Sequence, residues 1–143
     1  MPSTVWVNIN HTEMHRLLRS PVGPVGRMVG RVESRTVQVA RIIAPKDSGR
    51  LAADIHAEHE PLSPRGYVAH VGNSPEIYWA WFQHQGTRAH GPKRARAMRF
   101  RPKGESGWVF ARWVRGVEPD PYLVTALRIA SPWPVRVLSR RRR

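Results

Sequence analysis

The sequence predicts an α+β fold: a long N-terminal helix and a C-terminal helix packed on a small, mainly antiparallel sheet of about four strands. Apolar residues recur at three- and four-residue steps within 21–43 and within 120–130, which is the spacing of one helical face. Between these helices lie two pairs of short strand-like segments. Each pair is joined by a loop containing proline and glycine, as in an antiparallel hairpin.

The elements before the long helix are short. Residues 3–9 predict a strand or an ordered arm, and Thr12 is a candidate cap for a helix over 13–19. We therefore assign residues 1–20 to an N-terminal arm.

The long helix runs to Ile43 and begins either at Pro21, where a first-turn proline is tolerated, or nearer Arg27. Arg31 and Arg35 continue the four-residue step of Arg27 along one side. The predicted apolar face lies roughly opposite. Its members are Val25, Val29, Val32, Thr36, Ala40 and Ile43.

A turn at 47–49 follows the helix, which Pro45 ends. Residues 50–60 then alternate between apolar and polar side chains, which predicts a half-buried strand. The loop 61–66 leads to a second strand over 67–71, so the two strands predict a hairpin.

The second half of the chain predicts a short aromatic helix, a basic loop, two strands and a final helix. These lie over residues 76–84, 85–96, 97–101, 108–113 and 120–130. The final helix has an apolar face made of Leu123, Ala126, Leu127 and Ala130. We assign residues 21–130 to one domain and residues 131–143 to a basic C-terminal arm.

The composition combines enough apolar residues for one modest core with an extreme positive charge. The 143 residues include 24 Lys and Arg against 10 Asp and Glu, a formal net charge of +14, and all but three of the cations are arginines. Two interpretations stay open: the codon usage of a GC-rich genome, or contact with phosphate, whose oxygens match the guanidinium fork. The chain has no cysteine, which excludes disulfides and thiolate metal sites.

No secretory signal and no membrane segment are recognisable. The first residues lack a basic stretch followed by an apolar one, and no apolar run reaches the roughly 18 residues that a membrane helix needs. We therefore expect a soluble protein without membrane contact.

Catalytic constellations are not recognisable either. Ser48 and Thr87 lie in turn motifs, where hydroxyl-to-backbone hydrogen bonds explain them, and the acidic residues are scattered. His56 and His59 would point to opposite faces of a strand, which does not suit a metal site. We therefore predict no enzymatic activity, no catalytic residue, no metal and no cofactor.

Residues 77–82 form an aromatic-rich cluster that has two interpretations. As core, its rings would bury a large apolar area. On a helix, however, four rings so close in sequence cannot all face one core, so at least one would face a partner subunit. The candidate subunit contacts, including nearby basic residues and a later tryptophan, are Tyr78, Trp81, Phe82, Arg88, Arg94 and Trp133.

The chain ends in four arginines, which are candidates for contact with DNA or with an acidic partner: Arg140, Arg141, Arg142 and Arg143. Apolar alternation from Trp133 to Leu138 precedes them and indicates an extended arm that docks on a neighbour. Simple disorder of the tail and contact with DNA phosphates are the alternatives.

Four short motifs follow one another along the chain: a Gly-x-Leu turn, an aromatic-Ala segment, a Gly-Thr turn and a Pro-aromatic-Leu helix. Their residues are Gly49, Leu51, Trp79, Ala80, Gly86, Thr87, Pro121, Tyr122, Leu123, Ala126 and Leu127. In this order, over roughly residues 10–130, the chain resembles the small tail-completion or neck proteins of long-tailed phages (siphophages), the family that includes lambda minor tail protein Z. One departure is that His84 and Gln85 stand where the family has an acidic residue shortly before Gly-Thr.

The resemblance implies a structural virion protein of the head–tail connector. Its subunits would form a ring, in the simplest case a hexamer, that completes the tail, joins it to the head and leaves a channel for DNA. The implied partners are further copies of the chain, a head-closure or connector protein on one side and a tail terminator or tail tube protein on the other. Packaged double-stranded DNA is a further candidate contact. The implied location is the phage neck, after synthesis in the host cytoplasm.

Two alternatives stay open. The chain could instead be a tail terminator or head-closure ring protein, since such rings share similar small α+β folds. It could also be a stand-alone basic DNA-binding protein, for which residues 94–101 offer arginines beside an aromatic ring.

Overall fold

The structure is a computed structural model and describes residues 7–60, 66–102, 104 and 106–137. Contacts divide the chain into two compact units, one made of residues 1–74 with 123–143 and the other of residues 75–122. Helices and short antiparallel strands are both present, which confirms the α+β class. A single domain over 21–130 stays a prediction.

The described residues form five helices and four strands. The helices are α1 (His11–Arg19), α2 (Pro24–Ile43), α3 (Arg50–Asp54), α4 (Trp79–Gln85) and α5 (Tyr122–Ala130). The strands are β1 (His56–Glu60), β2 (Val68–Gly72), β3 (Met98–Phe100) and β4 (Val109–Ala111).

The strands pair as two separate hairpins. β1 is antiparallel to β2, with His56 opposite Gly72, and β3 is antiparallel to β4, with Met98 opposite Ala111. Within the described ranges these are two sheets of two strands each. About four antiparallel strands are present, as predicted, but they form two sheets instead of one, because the two hairpins do not pair with each other.

Asn10, not Thr12, caps helix α1. The Asn10 side-chain oxygen accepts hydrogen bonds from the backbone N–H groups of Thr12 (3.1 Å) and Glu13 (3.3 Å). The helix consequently begins at His11, two residues earlier than predicted. Residues 7–9 are not a strand, and the rest of the predicted strand over 3–9 lies outside the described residues.

Helix α2 is the centre of the first unit and contacts α1, α3, β1 and β2. Its buried face consists of small residues, among them Thr36 and Ala40, and Ala44 is buried just beyond its end. The Thr36 hydroxyl donates to the Val32 carbonyl (2.7 Å), so the buried polar group is satisfied within the helix. Ile43 is 37% exposed, so the predicted apolar face is right at its centre and wrong at its end.

Residues 50–54 form helix α3, where the sequence predicted the start of a strand. Gly49 adopts a left-handed conformation (φ +77°), and its carbonyl accepts a hydrogen bond from Ala53 (3.0 Å), which closes the first helical turn. The adjacent residues Leu51 and Ala52 are both buried while Ala53 is exposed. An alternating strand cannot bury two neighbours on one side, whereas a helical turn can.

Ile55 joins α3 and β1 to α2. Its side chain is fully buried, and its carbonyl accepts two hydrogen bonds from the Arg41 guanidinium, at 3.1 Å from Nε and 2.8 Å from Nη2. A bond to a charged donor is stronger than a neutral one, so this pair fixes the chain between α3 and β1 onto the last turns of α2.

Helix α5 buries a row of residues four positions apart: Tyr122 (1% exposed), Ala126 (0%) and Ala130 (4%). The predicted face included Leu127, but that side chain is 36% exposed. Tyr122, at the start of this row, is its largest side chain and therefore gains most from burial.

In the second unit, an interrupted antiparallel ladder leads from the end of α4 to the second hairpin. Thr87 donates to the Val117 carbonyl (2.9 Å), and His90 and Val114 exchange two backbone hydrogen bonds (3.0 and 2.9 Å). Pairing resumes at Met98 and Ala111. Residues 91–97, which comprise the end of the predicted basic loop (85–96) and the first residue of the strand predicted over 97–101, therefore bulge out of a ladder that is paired at both ends.

We expect Gly86→Ala to destabilise the protein more than Gly49→Ala. Both glycines have positive φ, but Gly86 combines φ +69° with ψ 170°, a region that only glycine populates, and an added Cβ would lie 2.7 Å from the Val117 carbonyl oxygen. An added Cβ at Gly49 meets nothing within 4 Å. Left-handed strain alone costs about 1–2 kcal/mol, whereas Gly86→Ala adds a backbone clash.

Denaturant unfolding of the two variants measures this difference. Gly107→Ala is the matched control, since its added Cβ meets nothing within 4 Å and no positive φ is involved. Equal losses at positions 49 and 86 would contradict the role assigned to the Gly86 turn.

Candidate functional site

Helix α4 presents most of its aromatic side chains to solvent. Ile77, just before the helix, and Ala80 within it are buried, at 6% and 8% exposure. Tyr78 (69% exposed), Trp81 (63%) and Phe82 (48%) are open. The exposures agree with the prediction that at least one ring of the cluster faces outward, whereas its covering by a partner subunit stays a prediction. Three large exposed rings on two turns form the kind of patch that partners cover.

The Gly-Thr turn connects α4 to the segment before α5. Thr87 Oγ1 accepts a hydrogen bond from the Val117 backbone N–H (2.9 Å), and the Gln83 carbonyl accepts one from Asp120 (3.0 Å). Gly116 lies so close to the Thr87 carbonyl that no Cβ would fit there. These contacts fix the orientation of α4 relative to residues 116–120.

His84, which stands where the resembled family has an acid, is half-buried in this turn. Its ring makes an edge contact with Tyr122 (5.6 Å between centroids), and its Nδ1 atom is buried without a hydrogen-bond partner among the described residues. Burial lowers the pKa of His84, an effect that the nearby Asp120 carboxylate partly offsets. The site therefore favours the neutral form of the His84 ring over the protonated form.

The remaining motif residues mainly determine the fold. Gly49 opens α3, Leu51 is buried in it, and Ala80 is buried in α4. Trp79 and Leu123 are half-buried, and Pro121 is exposed directly before α5. The motifs thus mark turns and buried helix positions, not a cluster of reactive groups.

Helix α1 is amphipathic, and none of its residues is buried. Met14, Leu17 and Leu18 are 40–49% exposed although they share one side of the helix. In the first unit, therefore, the predicted N-terminal arm carries a second uncovered apolar face.

The basic and C-terminal candidates lie mostly at the surface. Arg88 and Arg94 are exposed. Trp133 is 48% exposed and borders a groove of about 380 Å³ together with Met28, Val32 and Ile129. Arg140, Arg141, Arg142 and Arg143 lie outside the described residues.

Histidines of the first hairpin pair with separate carboxylates. His59 Nε2 lies 2.6 Å from Glu33 Oε2 and its ring stacks on Tyr67, whereas His56 donates to the Asp54 carbonyl (2.7 Å) and lies 3.2 Å from Glu58. The bond to the Asp54 carbonyl, helped by Glu58, raises the pKa of His56. Nowhere in residues 7–60, 66–102, 104 and 106–137 do three His, Asp or Glu side chains gather as metal ligands.

Sequence reasoning missed the polar cluster that joins the end of β2 to α3. The Asp54 carboxylate accepts hydrogen bonds from the Ser74 hydroxyl (2.6 Å), the Ser74 backbone N–H (2.8 Å) and Asn73 (3.3 Å). These bonds, led by that of the Ser74 hydroxyl, lower the pKa of Asp54. No local pattern signals the cluster, because its members are about twenty residues apart in sequence.

No helix in the described part of the chain is long and apolar enough to span a membrane. Comparison of the chain with protein-family models, with curated proteins and with solved structures found no match. The resemblance to phage neck proteins therefore stays a prediction that depends on the motifs.

We expect His84→Phe to reduce the loss of stability on mild acidification. A histidine whose pKa is lower in the folded than in the unfolded state binds protons preferentially when unfolded. The stabilising contribution of His84 is therefore fully present when the pH lies above its pKa in the unfolded state, about 6.5. It declines as the pH falls toward the lower pKa of the folded state. Phenylalanine keeps a ring beside Tyr122 and cannot take up a proton.

The prediction is tested by measuring the free energy of unfolding at pH about 7.5 and about 5.5, which lie on either side of the pKa of an ordinary histidine. The variant should show a smaller difference between the two pH values than the parent protein. His11→Phe, on the exposed helix α1, is the control. An unchanged pH difference in His84→Phe would contradict the burial argument.

Proposed function

We propose that this protein is a structural subunit of the head–tail connector of a long-tailed phage. In this role it forms a ring that completes the tail, joins it to the head and leaves a channel for DNA. The exposed aromatic surface of α4 carries the proposal, supported by the order of the sequence motifs.

The imbalance between buried and exposed apolar side chains supports a role in assembly. Only four large apolar residues are buried among the described ones: Leu51, Ile55, Ile77 and Tyr122. Twenty-one are exposed, including the three rings of α4 and the apolar side of α1. Isolated exposed apolar residues are normal, but clustered ones on two helices favour a protein that works with its surface covered.

A ring subunit needs two different contact faces, because in a closed ring one face of each copy meets another face of the next. The α4 rings lie in the second unit and the apolar side of α1 in the first, so each unit has an apolar surface of its own. An obligate contact of this kind buries about 2,000 Å² or more. We propose the two faces as the halves of one repeated contact.

The partners follow from this role. A head-closure or connector protein would lie on one side of the ring and a tail terminator or tail tube protein on the other, in the virion neck. With a net charge of +14, the subunit favours acidic neighbours, and the exposed arginines are the groups that would meet them. The terminal arginines, outside the described residues, belong to the same proposal.

Native mass spectrometry and negative-stain electron microscopy of the purified full chain, over a range of concentrations, test the ring. We expect a discrete closed assembly, with six-fold symmetry as the specific proposal. A chain that stays monomeric at all concentrations and at both low and high salt would contradict the proposal.

We expect the double variant Trp81→Ala/Phe82→Ala to dissociate the assembly while leaving each copy folded. Both side chains are largely exposed, so their removal takes little from the core, whereas aromatic residues central to an interface commonly contribute 2 kcal/mol or more each, about thirtyfold in affinity. Circular dichroism verifies the fold, and the assembly mass gives the result.

Trp113→Ala is the matched control, because Trp113 is as exposed (66%) and lies outside α4. A double variant that assembles like the parent would show that the α4 rings are not the contact.

A further inference from the structure

The outward side of the β3–β4 hairpin alternates arginine and aromatic residues. Arg99 on β3 lies directly opposite Phe110 on β4. Trp108, two residues before Phe110, shares its side, and the Arg99 guanidinium carbon lies 4.3 Å from the centroid of the Trp108 ring. Phe110 is 66% exposed and Trp108 56% exposed. Two open rings and one stacked guanidinium thus form a flat platform.

The segment of the chain that contains this platform is strongly basic. Residues 88–115 contain nine Lys and Arg and a single acid. Arg112 is exposed and directly follows β4, next to the last paired residue, Ala111. In the described part of the chain, neither Arg99 nor Arg112 forms an ion pair with a carboxylate.

A groove of about 820 Å³ runs beside β3. Its cationic lining comes from Lys93 and Arg94 of the bulged segment 91–97 and from Arg99, and Phe100 also borders it. The ladder pairs on either side of the bulge hold these cations beside the platform. The second unit therefore places a track of positive charge next to two exposed rings.

We propose that this face of the hairpin, called here the hairpin platform (Arg99, Trp108, Phe110 and Arg112), binds single-stranded nucleic acid. Bases would stack on Trp108 and Phe110, while the backbone phosphates follow the cations of the groove. Rings two residues apart on a strand are separated by about 7 Å, a distance that a stretched single strand can match between successive bases. This site does not depend on the neck role.

The chemistry favours a single strand over the other candidate occupants. A duplex keeps its bases inside, so it would use the arginines and leave the rings uncovered. A second copy of this chain would bring its own net charge of +14 against the same cations. A single-stranded polyanion supplies both the phosphates and the flat faces that the platform matches.

Fluorescence anisotropy with a labelled oligothymidine of about 20 nucleotides, and with a duplex of the same length, tests the proposal on the full chain. We expect tighter binding of the single strand. Phe110→Ala and Trp108→Ala should each weaken it about tenfold and leave duplex binding unchanged, whereas Phe110→Trp should retain it. Trp113→Ala is the control, because Trp113 is an equally exposed ring (66%) of the same unit that belongs neither to the hairpin platform nor to the α4 surface.

Salt dependence separates the arginines from the rings. Between about 50 and about 200 mM salt, Arg99→Gln should reduce the logarithmic salt slope by about 0.7 for the phosphate contact that it removes. Phe110→Ala should leave the slope unchanged while lowering the affinity.

Two results would overturn the proposal. Equal affinity for duplex and single strand, with no effect of the ring variants, would show general attraction between a basic protein and a polyanion. Unchanged oligothymidine binding together with a lower assembly mass in Phe110→Ala would show that the platform is a protein contact. The first result leaves the ring proposal unaffected, and the second would place a protein contact on the platform. The α4 variants test the ring proposal separately, so the two proposals can fail independently.

Discussion

The close packing of small side chains along α2 is the constraint on which the first unit depends. Thr36, Ala40 and Ala44 are almost completely buried, and the Arg41 guanidinium of the same helix holds the carbonyl of the buried Ile55. Small residues allow backbones to approach closely, but they bury little apolar area. The unit therefore gains order from hydrogen bonds and close contact, and among its described residues only two large apolar side chains, Leu51 and Ile55, are buried.

The same constraint shapes what the protein can do. A chain with few large buried residues and many exposed ones gains stability when a partner covers the exposed set. Its net charge of +14 works against bringing copies together, because like charges repel when cationic faces meet. The ring proposed above would therefore need acidic neighbours or polyanions to offset this charge, and DNA in the proposed channel would be one such polyanion.

Sequence periodicity and turn residues predicted the elements that are determined by residues close together in the sequence. The periodicity of α2 and α5 and the turn residue Gly49 indicated helices and a turn where the structure has them. The alternation over residues 50–60 wrongly predicted a strand at residues 50–54, because the pattern does not reveal that Leu51 and Ala52 are buried together. The separation of the hairpins and the Asp54–Ser74 contact depend on partners distant in sequence, which no local pattern encodes. Helical geometry predicted that at least one ring of the aromatic cluster faces outward, but not that Tyr78, Trp81 and Phe82 all do.

The cations of the bulge at 91–97 are positioned by the backbone pairs on either side of it. A loop of that composition, with three cations in seven residues, would repel itself and spread if its ends were unconstrained. Backbone pairing of His90 with Val114 and of Met98 with Ala111 holds both ends, so the loop keeps its cations beside β3. The paired backbone fixes where the loop begins and ends, and the loop supplies the positive charge, so the proposed binding of a polyanion would depend on both.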